Sequence, residues 1–309
     1  DERITLGVMV AFLSYVSRFF QPIQELSRMY TTFQSAMAGG EQVINLLDTP
    51  VEINDTPDAH ELTDVRGEIR LEQVTFRYSP DAPVVLDELS LAFPAGKTTA
   101  LVGPTGAGKT TVASLIARFY EVSEGSITID GIDIRSVSQA SLRRHVRLIS
   151  QDPFLFSRSI AENIRYGAPA ASDEEVEAAA RQANAHQFIR GLPDGYQTRI
   201  LEGGVNLSQG QRQLLSIARA LLTDPRVLIL DEATANIDTV TEALIQDALA
   251  RLLQGRTAIV IAHRLTTVRN ADWVYVLDRG RVVEQGSHRQ LIARNGLYAS
   301  LYERQFMDE

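Results

Sequence analysis

Nine consecutive residues have the types and spacing to do chemistry together. Gly103-Pro104-Thr105-Gly106-Ala107-Gly108-Lys109-Thr110-Thr111 follows the pattern G-x-x-x-x-G-K-[ST]. Glycines let a backbone wrap closely around phosphate oxygens with its N–H groups turned inward. The start of a following helix adds partial positive charge. Lys109 is placed to reach β- and γ-phosphates, and the Thr110 hydroxyl to hold Mg²⁺. The flanks agree: Thr98–Val102 is an apolar run of strand length, and residues 110–119 carry a helical pattern. The alternative is a plain glycine turn between strand and helix, which the full motif in this context sets aside.

Two carboxylates close a second apolar run, Val227-Leu228-Ile229-Leu230-Asp231-Glu232. At the carboxyl end of a buried parallel strand such groups lie beside the phosphate loop, where ligands bind in sheets of this kind. Asp231 is then suited to orient Mg²⁺ or its water. Glu232 is suited to orient and polarise an attacking water. Taken alone, the stretch also fits a strand ending in a solvated acidic turn. Leu207-Ser208-Gln209-Gly210-Gln211 opens a helix that carries Leu214, Leu215, Ile217, Ala218 and Leu221. Ser208 reads there as an ordinary N-cap, and the helix start is also an anion site.

The elements that must hold these groups alternate. Ile69, Leu71, Val74 and Phe76 mark strand-like segments of an antiparallel layer reaching Tyr78, and 89–93 repeats the pattern. Further strand patterns fall at 126–129, 147–150, 227–230, 258–262 and 273–277, separated by helical stretches at 173–185, 209–222 and 240–253. The alternation predicts a mainly parallel sheet covered on both faces. Residues 159–205 read as a helical, loop-rich insertion.

Upstream, residues 4–20 are mostly apolar. As a helix they span about 25 Å, slightly less than the roughly 30 Å of a bilayer's hydrocarbon. A membrane helix and a buried or amphipathic soluble helix both fit that run. Beyond Pro22 the pattern changes to an apolar seam, Ile23, Leu26, Tyr30, Phe33 and Met37, weakened at Gly39-Gly40 and resumed at Ile44 and Leu47. This fits a membrane helix that continues into water and ends near Asp48-Thr49-Pro50. Residues 49–66 are polar, carry two prolines and read as a linker.

Composition sets the outer limits. The chain has 309 residues, 44% hydrophobic and 22% charged, as in a folded protein. A net charge of −9 argues against nucleic-acid binding. With no cysteine, disulfides and thiolate metal sites are excluded. Asp1 is not a natural start, so the sequence reads as a fragment of a longer chain.

The order phosphate loop, Gln151, LSQGQ, LILDE, His263 resembles the nucleotide-binding subunit of ATP-binding-cassette (ABC) transporters. LSQGQ resembles the family's signature, usually LSGGQ, with Gln209 in place of a glycine. The resemblance implies an α/β P-loop ATPase core with an antiparallel β layer and a helical subdomain, preceded by a long, partly transmembrane helix. It implies ATP and Mg²⁺ as cofactors. Carried over position by position, Tyr78 in Phe76-Arg77-Tyr78 stacks on adenine, and Gln151 touches Mg²⁺ and couples to the membrane domain. His263 contacts the γ-phosphate, and Ala235-Asn236-Ile237-Asp238 is similar to the D-loop. Ser208, Gln209, Gly210 and Gln211 form a signature that completes the site of a second cassette.

Two stretches resemble exporters within the family: Ser159-Ile160-Ala161-Glu162-Asn163-Ile164-Arg165-Tyr166-Gly167, and 198–207 (TRILEGGVNL) with its Glu202. The implied division is 1–48 for the end of the last transmembrane helix and its extension, 49–66 for the linker, and 67–309 for the nucleotide-binding domain, with a helical subdomain near 152–222. The implied activity is ATP hydrolysis driving export of a drug-, lipid- or peptide-like substrate. The implied partners are a second half-transporter, identical or different, and the coupling helices of the transmembrane domain. The implied place is a bacterial inner membrane, with the nucleotide-binding domain on the cytoplasmic side. Two other readings are a soluble ABC ATPase of DNA repair or translation, and a non-hydrolysing regulator. The acidic charge and the apolar N-terminal run oppose the first, and Glu232 opposes the second.

Overall fold

The structure, a computed structural model, describes residues 5–150, 152–231, 238–262 and 265–306. It divides into two units, Asp1–Asn54 and Asp55–Glu309.

The first unit is one helix, α1 (Leu6–Leu47), capped by the Thr5 side chain on the Val8 amide. It runs on through Pro22, where the sequence pattern changes. A proline inside a helix removes one hydrogen bond without obliging the chain to stop. None of its residues is buried within this chain, and a window of 18 residues has a mean hydropathy of 1.3, so α1 is long and apolar enough to cross a membrane. At 42 residues it is about 63 Å long, twice a bilayer's hydrocarbon thickness.

The second unit begins with β1 (Ile69–Phe76), β2 (Leu86–Phe93) and β3 (Thr98–Val102), and the phosphate loop leads into α2 (Lys109–Ile116). Next come β4 (Glu124–Ile129), β5 (Ile132–Asp133), α3 (Gln139–His145) and β6 (Val146–Ile149). The helical insertion is α4 (Ile160–Arg165), α5 (Asp173–Gln182), α6 (His186–Arg190) and α7 (Gln209–Thr223). The chain returns through β7 (Val227–Asp231), α8 (Thr239–Leu253), β8 (Thr257–Ile261), α9 (Leu265–Asn270), β9 (Trp273–Asp278) and β10 (Arg281–Gly286). It closes with α10 (His288–Arg294) and α11 (Leu297–Phe306).

One sheet has six strands in the order β10-β9-β3-β8-β7-β6, all parallel except β10. Because side chains alternate along a strand, its apolar runs are sorted residue by residue between two cores. Leu101, Ile229, Ile259 and Leu277 enter the core shared with α2 and the antiparallel layer. Val102, Leu230, Val260 and Val276 enter the core shared with α7, α8 and the insertion. The antiparallel layer is the second sheet, β2-β1-β4-β5.

Three local departures from the sequence reading have physical causes. α2 stops at Ile116, three residues short of the predicted end, because Arg118 takes a left-handed backbone (φ 52°) and turns its buried guanidinium to Glu121 and the Val137 carbonyl. The stretch read as one helix over 173–185 is broken by left-handed Asn184 (φ 57°). The second part of the segment read as linker belongs to the compact unit. There, Asp55 accepts the Gln139 amide (3.0 Å) and pairs with Arg118 (3.7 Å), and the Leu62 amide donates to Ser141 Oγ (2.8 Å).

Candidate functional site

β3 delivers the phosphate loop to the carboxyl edge of the sheet. Gly103 (φ 153°) passes so close to β9 that a Cβ there would lie 2.1 Å from the Leu277 carbonyl oxygen. Gly108 (φ 98°) would drive a Cβ to within 2.6 Å of Leu86 Cδ2. Both positions therefore require glycine. Ala107 fixes the turn: its amide donates to the Pro104 carbonyl (3.1 Å), and its carbonyl accepts the Gly280 amide (3.2 Å). Gly108 is the N-cap of α2 and places no side chain on the first amides of that helix.

Lys109 is buried, and its ammonium donates to the carbonyls of Gly103 (2.7 Å) and Pro104 (3.0 Å). Burial holds its pKa below the ordinary lysine value, and the charge of Asp231 pulls it partly back. The sheet register explains that influence. Asp231 on β7 and Leu101 on β3 both stand opposite Ile261 of the intervening β8, so the carboxylate is level with the strand that feeds the loop. The neighbouring threonines diverge: Thr110 is exposed, whereas Thr111 is buried and shares a 2.9 Å hydrogen bond with the Tyr78 hydroxyl. Tyr78 is half exposed and packs edge-on against Phe76 (4.9 Å) and Tyr120 (5.1 Å). Tyr120 escaped the sequence reading, because nothing in its spacing ties it to a residue 42 positions away.

Gln151, Glu232, Ala235, Asn236, Ile237 and His263 lie outside the described residues. Gln151, Glu232 and His263 follow β6, β7 and β8 closely in sequence, and those strands run parallel in register. Asp238 is described: it caps α8, accepting the Thr241 amide at 2.9 Å, and that bond holds its carboxyl below the usual range.

Ser208 is the N-cap of α7, exposed, and Gly210 behind it is buried. Ser208 and Gln211 border a cleft of about 470 Å³ with His186, Leu214, Thr241 and Leu244, and no residue of the loop 103–111 lines it. Within one chain, the structure thus keeps the signature residues and the phosphate loop in separate surroundings. A further groove beside β6, lined by Arg147, Phe154, Tyr166 and Arg219, was also missed. Its residues meet only through the packing of α4 and α7 on the sheet edge. Among the described residues no group of three or more His, Asp or Glu side chains is placed to hold a metal by itself.

An anion-binding loop between a parallel strand and a helix, with a cation and a level carboxylate at the sheet edge, defines a P-loop nucleotide-binding domain. Residues 86–235 match the family described as ABC transporter. The ABC transporter ATP-binding protein YfiC of Bacillus subtilis is 51% identical over 303 residues, covering 98% of this chain and 50% of that protein. The fatty acid ABC transporter ATP-binding/permease protein of Mycobacterium bovis is 48% identical over 297 residues, covering 96% of this chain and 46% of that protein. A solved bacterial Atm1-family ABC exporter with ATP bound superposes with a TM-score of 0.80 at 42% identity, covering 97% of this chain and 52% of that one. This chain belongs to the ABC transporter family and has its ATPase fold, preceded by a long helix. It spans about half the length of the curated relatives it matches.

Proposed function

We propose that this chain is the ATP-binding and ATP-hydrolysing part of an exporter, moving a drug-, lipid- or peptide-like cargo across a membrane. The observation that carries this reading is the phosphate loop itself: two glycine positions that admit no side chain, an uncapped helix start and a buried ammonium under the influence of the Asp231 charge. In this reading Gly103, Thr105, Gly106, Ala107, Gly108, Lys109, Thr110 and Thr111 hold the triphosphate, and Tyr78 carries the adenine. The exposed Thr110 hydroxyl and the Asp231 carboxylate are hard oxygen donors, a set that fits Mg²⁺, which keeps several waters and takes few protein ligands. Bound there, Mg²⁺ neutralises charge on the phosphates.

Glu232 takes a proton from water as the water oxygen attacks the γ-phosphorus. The bond to the bridging oxygen breaks, and ADP and phosphate leave. Gln151 and His263 orient the water and the γ-phosphate, so catalysis is mostly positioning and charge stabilisation. Ser208, Gln209, Gly210 and Gln211 serve the nucleotide of a second cassette, and Asp238 stands at the same junction. Support comes from Ser208 and Gln211 bordering a cleft that no residue of the chain's own loop 103–111 lines. This reading assigns α1 to the membrane and the compact unit, Asp55–Glu309, to the cytoplasmic side of a bacterial inner membrane. The groove beside β6 seats coupling segments of the transmembrane domain.

The test is phosphate release and cargo movement by the full-length protein in lipid vesicles. ATP-dependent cargo accumulation with Mg²⁺-dependent phosphate release is expected. Vesicles that accumulate cargo without ATP, or protein that releases no phosphate, would overturn the reading.

A further inference from the structure

β6 is an edge strand of the six-stranded sheet, and a groove of about 290 Å³ runs beside it. Its rim is aromatic. Phe156 packs against Phe154 (5.1 Å) and Tyr166 (4.3 Å), and residues Phe154 and Tyr166 are 68% and 56% exposed. Two guanidiniums, Arg147 and Arg219, also line it, and they are in opposite states.

The Arg219 guanidinium donates from each of its nitrogens to a neutral acceptor. It donates from Nε to the Asn163 carbonyl (2.9 Å), from Nη1 to the Phe154 carbonyl (3.1 Å) and from Nη2 to Asn163 Oδ1 (3.2 Å). It also stands over the Tyr166 ring at 5.6 Å. Arg147 has one long bond, from Nη2 to the Gly167 carbonyl at 3.5 Å. Its Nε is buried without a partner among the described residues. Among the described residues, none that lines the groove is acidic. Burial lowers the pKa of both groups, and the charge of Arg147 lowers that of Arg219 further.

Two like charges in a half-enclosed, aromatic site without a counter-ion are unfavourable. A guanidinium does not escape that cost by losing its proton. The group that relieves it is a carboxylate, whose two oxygens match paired N–H donors of a guanidinium. The exposed rings on the rim suit apolar side chains on either side of such a carboxylate.

This step rests on the groove being the seat of the transmembrane domain. We infer that Arg147 is the receptor for an aspartate or glutamate on the coupling segment docked in this groove, so that one buried ion pair fixes the register of docking. No residue of the phosphate loop 103–111 lines this groove. Loss of the pair therefore disturbs transmission between membrane and ATPase rather than nucleotide binding.

The test uses the full-length transporter in lipid vesicles. Arg147→Glu is expected to lower cargo-stimulated phosphate release at least about tenfold, the scale of a broken buried pair. ATP affinity should change less than about twofold. Each acidic residue in the cytoplasmic segments of the transmembrane domain is then changed singly to arginine. One such change should be damaging alone and should restore stimulation in the Arg147→Glu background. Stimulation that survives Arg147→Glu overturns the inference, as does the failure of every charge exchange to restore it. A photo-crosslinker at Phe154 separates the two levels. A crosslink to the transmembrane domain with no effect of charge keeps the docking reading and removes the carboxylate. The absence of any crosslink to that domain removes the docking reading itself.

Discussion

Two helices begin where phosphate is proposed to bind, and they begin differently. α2 starts at Gly108, with no side chain on its first amides. α7 starts at Ser208, whose Oγ accepts the Gln211 amide (3.2 Å) while Gln211 Oε1 accepts the Ser208 amide (3.0 Å). Such a capping box satisfies two helix-end donors from within. The first start is left open for a ligand of its own chain. The second is partly closed on itself, and the Ser208 hydroxyl proton and the amides of Gln209 and Gly210 are the donors it still has to offer. An open start beside a buried lysine is a site in a single molecule. A closed start becomes one when a second molecule brings phosphate to it.

Changes that separate the two starts can break or sharpen this contrast. The largest effect is expected from Glu232→Gln, which leaves both starts intact. Turnover should fall at least about a hundredfold, the scale of a lost general base, while ATP stays bound and the closed pair accumulates. Phosphate release and the mass of the ATP-bound species measure this, and near-native turnover would remove Glu232 from the reaction.

Lys109→Ala strikes the open start alone. Affinity for ATP in the single chain should fall about ten- to a hundredfold, since a charged hydrogen-bond donor to phosphate is lost. Calorimetric titration reads it directly, with Ser208→Ala as control. If Ser208→Ala weakens single-chain binding as much, the distinction between open and closed starts is lost.

Ser208→Arg strikes the closed start. In mixed pairs carrying one altered chain, nucleotide trapping should drop at least about tenfold at the partner's phosphate loop and persist at the altered chain's own. The reverse pattern would end the shared-site arrangement.

The smallest effect belongs to Tyr78→Ala, which leaves both starts untouched. Affinity for ATP should fall about fivefold, the lower range of base–aromatic stacking. Affinity for ribose triphosphate without a base should not change. Equal losses for both ligands would assign Tyr78 to holding Thr111 rather than to the adenine.

The sequence made the open start legible and hid the closed one. The run at 98–102, the loop and the helix after it depend on neighbours in the chain, and β3 and α2 appear where the pattern puts them, apart from the early stop at Ile116. Ser208 was legible as an N-cap, but its exchange with Gln211 is a matter of geometry rather than of spacing alone. β10 went unread because Arg281–Gly286 mixes Arg, Glu and Gln with two valines and has only its last residue buried. β5, at two residues, is too short to carry a period. The break at Asn184 needed knowledge of its left-handed backbone, which the contacts of its side chain with Leu244 and Asp247 hold in place. Arg147 illustrates the limit most clearly. Its charge is visible in the sequence, but that its Nε has no partner among the described residues depends on what packs around it.

The two carbonyls that hold Lys109 bear on the rate at which the site empties. A lysine whose only partner was phosphate would be stranded as a bare buried cation each time product departed, and departure would be slow for that reason. Here the oxygens of Gly103 and Pro104 lie within 3.0 Å of the ammonium, built into the same loop. Release of phosphate then exchanges one set of charged hydrogen bonds for another instead of abandoning one. In the proposed cycle the same pair limits how tightly ATP is held, since every arriving nucleotide must first win the lysine back. The loop carries its own competitor, and turnover gains from it what affinity loses.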